Sequence, residues 1–279
     1  MISFTLNTIK LVRPLNCLIT FLSVLIGGFI ISESAININL LLIASVSASL
    51  ITAAGNVIND IYDIELDKIS HPKRPLPLNK VSISQAKTIY ILLNLLALIL
   101  LFISSIYLTL IGVLAIALLF IYSSFLKKIF LLSNLVIAFL TGLTFIFAGE
   151  AVNNLMSSFI PAGFAFLINL IREIVKDTED LEGDIQCGIN SLPIVLGFKK
   201  TSWIVLSLTI ILILFTTYPY FNGIYKIEYF VLVMIIVNPI LILSAKKFFE
   251  KNDKKNIKTA SVLLKLDMLI GLVAIYLGK

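Results

Sequence analysis

The stretch YILLNLLALILLFISSIYLTLIGVLAIALLFIYSSFL, residues 90–126, carries no charged side chain. A helix rises about 1.5 Å per residue, so one helix of this length would run to roughly 55 Å, against a bilayer hydrocarbon core of about 30 Å. The stretch therefore forms two membrane spans, folded back near Ser104, Ser105 and Thr109. The same test along the chain predicts about nine transmembrane helices, with approximate cores at 15–31, 40–61, 86–104, 108–125, 130–148, 158–175, 203–218, 229–245 and 260–277. Pro219 and Pro239 interrupt the seventh and eighth. Composition agrees: the 279 residues are 59% hydrophobic and 14% charged, with mean hydropathy +1.04, whereas soluble domains sit near 45–50% apolar. The fold class is all-α integral membrane.

Charge then sets orientation. With the N-terminus on side one, nineteen of the 22 Lys and Arg residues fall on that side: fifteen in the long polar loops 62–85, 176–200 and 246–258 and beside the first span, with Lys87, Lys127, Lys128 and Arg172 near the ends of other spans. So lopsided a distribution predicts a multi-pass cell-membrane protein with its N-terminus and its polar chemistry on the cytoplasmic side. The net charge of +6 thus reports topology rather than nucleic acid. Lys10 and Arg13 ahead of an apolar run superficially suit a signal peptide, but residues 15–31 lack a small-residue cleavage site and read as the first span. Cys17 and Cys187 are expected to be free thiols, and the lone His71 excludes a histidine-rich metal centre.

Against this apolar background, NDIYDIELD at residues 59–67 and DTEDLEGD at residues 177–184 stand out. Asp60, Asp63 and Asp67 have the spacing D-x-x-D-x-x-x-D, and Asp177, Asp180 and Asp184 repeat it. Each cluster closes an even-numbered span, which predicts one domain over 1–279 built from a pseudo-repeat, roughly 10–128 and 129–246, plus a last helix at 258–278. On a continuous helix Asn56, Asp60, Asp63 and Asp67 lie within about 60° of one another, with Asn59 beside them. Glu173, Asp177, Asp180 and Asp184 share a face in the same way.

Clustered carboxylates repel, and divalent cations remove the repulsion. Oxygen ligands without His or Cys suit Mg²⁺, which completes its shell with water and substrate phosphates. The two clusters are therefore expected to face each other and to share metal ions and a diphosphate. The plain alternative is a set of solvated loop acids balanced by lysines. Lys73 and Arg74, held between Pro72 and Pro75, and Tyr122, Lys127 and Lys128 at the end of the fourth span are candidates for the phosphate charge. Each is otherwise an ordinary positive-inside residue. Arg172, inside the sixth span, must pair with an acid or line a polar interior, since an unpaired guanidinium there is costly.

These features together resemble the UbiA-type intramembrane prenyltransferases. The resemblance covers essentially the whole chain and rests on NDIYDIELD, DTEDLEGD, the RPLN of Arg13 to Asn16, and Tyr122 followed by Lys127 and Lys128. The gap after Tyr122 is longer than the family's usual one, which leaves open which lysine takes the role. The resemblance implies nine helices around a central cavity, with an Asp-rich motif at the cytoplasmic end of helices 2 and 6. AGNVINDIYDIELDKISHPKRPLP and REIVKDTEDLEGD with SLPIVLG are most similar to the archaeal ether-lipid branch of the family.

That branch implies transfer of a geranylgeranyl group from its diphosphate to the sn-2 hydroxyl of geranylgeranylglyceryl phosphate. Two Mg²⁺ would be held by Asn56, Asp60, Asp63, Asp177, Asp180 and Asp184, with Asn59 and Asp67 beside them. Lys73, Arg74 and Lys127 or Lys128 would steady the departing pyrophosphate, and the site would open to membrane lipids. The acceptor phosphate has Lys10, Arg13, Asn16 and Lys199 or Lys200 available; Glu65 and Glu173 are candidate bases for its hydroxyl. The nearest alternative is prenylation of an aromatic quinone precursor. An ion or solute transporter is the alternative of another class, set against acids that lie at helix ends instead of mid-membrane.

Overall fold

The computed structural model describes residues 2–33, 35–186, 188–250 and 253–279, and all of its regular structure is helical. Among the described residues nine segments are long and apolar enough to cross a membrane: Pro14–Ile31 (α2), Ile38–Tyr62 (α3), Ile83–Phe102 (α5), Ile106–Ser124 (α6), Leu132–Ala151 (α7), Leu155–Glu179 (α8), Leu192–Phe221 (α10), Ile227–Glu250 and Lys254–Leu277 (α13). The eighth comprises α11 (Ile227–Leu232), a π-turn (Val233–Val237) and α12 (Asn238–Glu250). Three further helices, α1 (Ile2–Val12), α4 (Ile64–Ser70) and α9 (Leu181–Gln186), are too short to span. Cys17 is a free thiol whose Sγ donates to the Val12 carbonyl at 3.2 Å. Cys187, and Lys251 of the basic loop, lie outside the described residues.

The chain divides into two compact units. The first runs to Lys127 and takes in Leu143–Ser158; the second comprises Lys128–Gly142 and Phe159–Lys279. In the first unit α3 is the centre, packed against α2, α5 and α6. Ala44, Ser45, Ser47, Ala53, Ala54 and Gly55 are buried along α3 and let neighbouring backbones come close. A Cβ on Gly55 would stand 3.0 Å from Leu119 of α6. The end of α7 packs on α2 in the same way, where a Cβ on Gly28 would meet Val152 at 3.2 Å.

The turn between α5 and α6 falls at Ser104 and Ser105, as the uncharged stretch predicts. Ser105 caps α6, accepting from the Leu108 amide at 3.3 Å. Thr109 is not part of the turn: it lies inside α6 and donates back to the Ser105 carbonyl at 2.8 Å. The helix α1 has no counterpart in the expected spans, because a helix of 11 residues is too short for a span-length test. Arg13, in the left-handed region at φ 54°, separates it from α2, whose first residue is Pro14. Proline lacks the N–H that would continue α1.

In the second unit α12 packs against both α10 and α13. The Ser244 hydroxyl donates to the Ala260 carbonyl at 3.1 Å and the Lys226 amide to the Gly278 carbonyl at 2.7 Å, setting the antiparallel register of the last two spans. The two prolines act differently. Pro219 sits in the last turn of α10 and its carbonyl accepts from Ile224 at 2.8 Å. Pro239 has no amide proton for the carbonyl four residues back, and the π-turn lies immediately before it, with the Asn238 amide reaching Val233. A further break falls at Gly197, φ 76°, inside α10.

Candidate active site

The first acid cluster is not carried on one continuous helix. At Asp63 (φ −94°, ψ 7°) the chain leaves helical geometry, so α3 ends at Tyr62 and α4 starts at Ile64. The i→i+4 bonding survives the break, with the Asp63 amide on Asn59 at 3.0 Å and the Asp67 amide on Asp63 at 2.7 Å. The three acids therefore stay together, and all are buried: Asp60 is 2%, Asp63 8% and Asp67 1% exposed.

Burial on this scale requires partners. Arg74 supplies two, its Nη1 straddling both oxygens of Asp67 at 2.8 and 2.7 Å and reaching Asp60 at 3.2 Å. Arg13 also ion-pairs with Asp60, and Lys127 with Asp63. The Asn59 amide donates to Asp63 at 2.8 Å, and the Asn56 amide donates to the Val12 carbonyl at 2.9 Å.

Arg74 is aimed by packing. Leu76 and Val81, at either end of the turn after it, are buried with Leu11, Val57 and Ala86. Backbone bonds from Arg74 to His71 (3.0 Å) and from Lys80 to Pro75 (3.0 Å) close the loop. Lys73 and Lys128, each adjacent to a cation that pairs, are exposed instead. Tyr122 is half-buried near the end of α6, while Lys10, Asn16, Lys199 and Lys200 are exposed.

The second cluster repeats the backbone device. Its helix breaks at Asp180, the counterpart of Asp63, between α8 and α9. Asp177 is half-buried and accepts from the Asn134 amide at 2.8 Å. Asp180 is exposed and Asp184 half-buried. No Lys or Arg lies at ion-pair distance from Asp177 or Asp180 among the described residues. Arg172 binds Glu173 at 2.7 Å and Asn169 at 3.3 Å, so its charge is spent within its own span. Glu65, the other candidate base, is exposed and pairs with Lys68 at 2.7 Å.

Asn134 is a site residue that the acid spacing alone does not reveal. Its place has one parallel: Asn134 is the third residue of α7, as Asn16 is of α2. The residues just before these helices, Arg13 and Leu131, both have positive φ, 54° and 61°. Such backbone is uncommon outside glycine, and it precedes α2 and α7 alike. Leucine cannot pair with a carboxylate as Arg13 does, and Asn134 is what meets Asp177.

The donor set is compatible with magnesium, being carboxylate and amide oxygen throughout. Among the described residues no three acidic, His or Cys side chains converge to hold an ion alone. Mg²⁺ usually takes one or two carboxylates and leaves its other positions to water and substrate phosphates, which the clusters can satisfy.

Residues 20–269 match the model of the UbiA prenyltransferase family. The chain is 36% identical over 270 residues to digeranylgeranylglyceryl phosphate synthase of Methanosphaera stadtmanae, covering 97% of this chain and 98% of that protein. It is 33% identical over 273 residues to the synthase of that name from Saccharolobus solfataricus, covering 97% and 95%. A solved structure of digeranylgeranylglyceryl phosphate synthase matches with a TM-score of 0.88 at 34% identity, over 100% of this chain and 99% of that one. A UbiA homologue from Archaeoglobus fulgidus bound to GPP and Mg²⁺ shares the fold at a TM-score of 0.66 and 18% identity, over 96% and 99% of the two chains. Identity above 30% along nearly the full length of these relatives leaves one placement, and the chain is a member of the UbiA prenyltransferase family.

Proposed function

We propose that this prenyltransferase moves a geranylgeranyl group from geranylgeranyl diphosphate to the sn-2 hydroxyl of geranylgeranylglyceryl phosphate, giving digeranylgeranylglyceryl phosphate for archaeal ether lipids. The observation that carries the acceptor assignment is near full-length identity of 33–36% to synthases of that name. The buried, cation-lined cluster at Asp60, Asp63 and Asp67 supports a diphosphate donor. The lopsided Lys and Arg distribution supports an active site on the cytoplasmic side.

In this reading Asn56, Asp60, Asp63, Asp177, Asp180 and Asp184 would hold magnesium, which supplies charge to stabilise the leaving diphosphate. Arg74 lies against Asp60 and Lys127 against Asp63, and both can place their N–H groups on the diphosphate as negative charge develops there. The C1–O bond of the donor then breaks with both electrons going to oxygen, and the acceptor hydroxyl oxygen attacks the allylic C1 and loses its proton to the released diphosphate. Apolar faces of the spans would carry both lipid chains and exclude water from the allylic cation.

The test is a transfer assay on the full chain in lipid with labelled geranylgeranyl diphosphate, with and without Mg²⁺. Geranylgeranylglyceryl phosphate and 4-hydroxybenzoate serve as parallel acceptors. Mg²⁺-dependent transfer to the glyceryl phosphate is expected. Transfer only to the aromatic acid would move the enzyme to quinone precursors, and transfer to neither would overturn the acceptor assignment.

A further inference from the structure

Arg74 and Lys127 occupy one oxygen each of Asp60 and Asp63, two of the carboxylates proposed for the metal, and Arg74 also holds Asp67 beside them. Both oxygens of Asp67 receive Arg74, and Oδ1 of Asp60 is shared by Arg13 and Arg74. Oδ2 of Asp63 is shared by Lys127 and Asn59. Three carboxylates meet three cations, so the cluster as it stands attracts a further cation weakly. A metal binding at about 2.0–2.1 Å to Oδ1 of Asp60 or Oδ2 of Asp63 would displace the N–H groups that now rest there. It would also bring positive charge against Arg74, Arg13 and Lys127.

From this we infer that Arg74 and Lys127 set the order of binding: they compete with metal for Asp60 and Asp63, and a prenyl diphosphate releases the carboxylates by drawing these cations onto its own oxygens. The proposal rests on the diphosphate–metal reading of this cluster and adds a sign to it. The same two residues oppose metal binding when no diphosphate is present and favour diphosphate binding when no metal is present. They are positioning residues for the metal ligands, acting through the carboxylates they hold. Arg74 suits the exchange because its side chain is 26% exposed while that of Asp67 is 2% exposed. The guanidinium can therefore turn outward without moving the acid. Lys127, 23% exposed against 10% for Asp63, has the same access.

Two equilibria on the full chain in lipid nanodiscs separate this from a structural role. One is Mn²⁺ binding without diphosphate, read by electron paramagnetic resonance. The other is binding of geranylgeranyl S-thiolodiphosphate in metal-free buffer. Arg74→Gln is expected to bind Mn²⁺ about 5- to 50-fold more tightly than wild type and the analogue more weakly by a similar factor, the usual range for coupled sites. Lys127→Gln should show the same opposed pair of shifts, and it carries the test if Arg74→Gln fails to insert. Lys73→Gln removes an equal charge that ion-pairs with no carboxylate among the described residues, and its Mn²⁺ affinity should move far less.

Loss of both affinities in Arg74→Gln and Lys127→Gln would mean that the cations only support the fold, and would overturn the exchange. Equal tightening of Mn²⁺ in Lys73→Gln would replace it with a general field effect. Wild-type protein that bound neither Mn²⁺ nor the analogue, alone or together, would overturn the diphosphate–metal reading itself and the exchange with it.

Discussion

The two acid clusters have one spacing, one break position and two different environments. Asp63 and Asp180 each interrupt a span in the same register, yet Asp63 is 8% exposed and ion-paired whereas Asp180 lies in the open. The cation on Asp63, Lys127, comes from the turn after α6, while Asp60 and Asp67 draw on the connection beyond the cluster. After Asp67 the chain makes a loop from His71 to Val81 that bears Arg74 and is pinned by Leu76 and Val81. After Asp184 no Lys or Arg appears until Lys199, and α10 begins at Leu192. One spacing thus goes with one break position in both clusters, and the cations that reach the first cluster, Arg13, Arg74 and Lys127, set its electrostatic state.

The comparison breaks first if only one cluster serves the reaction. Asp63→Ala and Asp180→Ala should each lower prenyl transfer by about 10²- to 10³-fold or more, the scale of removing one group that acts on developing charge. Both variants should insert and remain helical by circular dichroism. Wild-type turnover by Asp180→Ala would leave the second cluster a solvated remnant of the duplication.

Stability should separate the halves where activity does not. Asp67→Asn strips a buried acceptor from Arg74 and should cost about 2–3 kcal/mol, below the usual 3–5 for a fully buried pair because the guanidinium is partly exposed. Asp180→Asn, at an exposed position, should stay within about 0.5 kcal/mol. Thermal unfolding in one detergent compares the two, and equal losses would mean that the second cluster is as tightly held as the first.

Legibility in the sequence divides along the same line. Length and hydropathy suffice for nine spans, since each is a local property of about 20 residues. Helical periodicity, however, predicts a continuous helix through Asp63 and through Asp180, because the spacing of the acids is itself helical. The breaks show only in the backbone. Lys73 and Arg74 are adjacent and equally placed by sequence, as are Lys127 and Lys128. In each pair the choice depends on tertiary packing, most visibly on Leu76 reaching Leu11 and Val57. Asn134 shares only its residue type and its place in the helix with Asn16, too little to weigh in the sequence without the positive φ that precedes both helices.

The last and smallest effect concerns an acid outside both clusters, and it sharpens what the ion pairs do. Asp267 lies inside the final span, 1% exposed, and neither carboxyl oxygen has a hydrogen-bond partner among the described residues. The Ser244–Ala260 and Lys226–Gly278 contacts set a register that puts Asp267 level with Val237, at the end of the π-turn. Burying a polar group without a partner costs free energy, so replacing it with an apolar residue of similar size should stabilise the protein. Asp267→Val is expected to raise the melting temperature, with a gain of about 1 kcal/mol, and to leave prenyl transfer unchanged. Asp60→Val, which leaves Arg13 and Arg74 without their shared acceptor, should lower both. If Asp267→Val instead loses activity at unchanged stability, the final span contributes to the reaction and the division of work between the two clusters is incomplete.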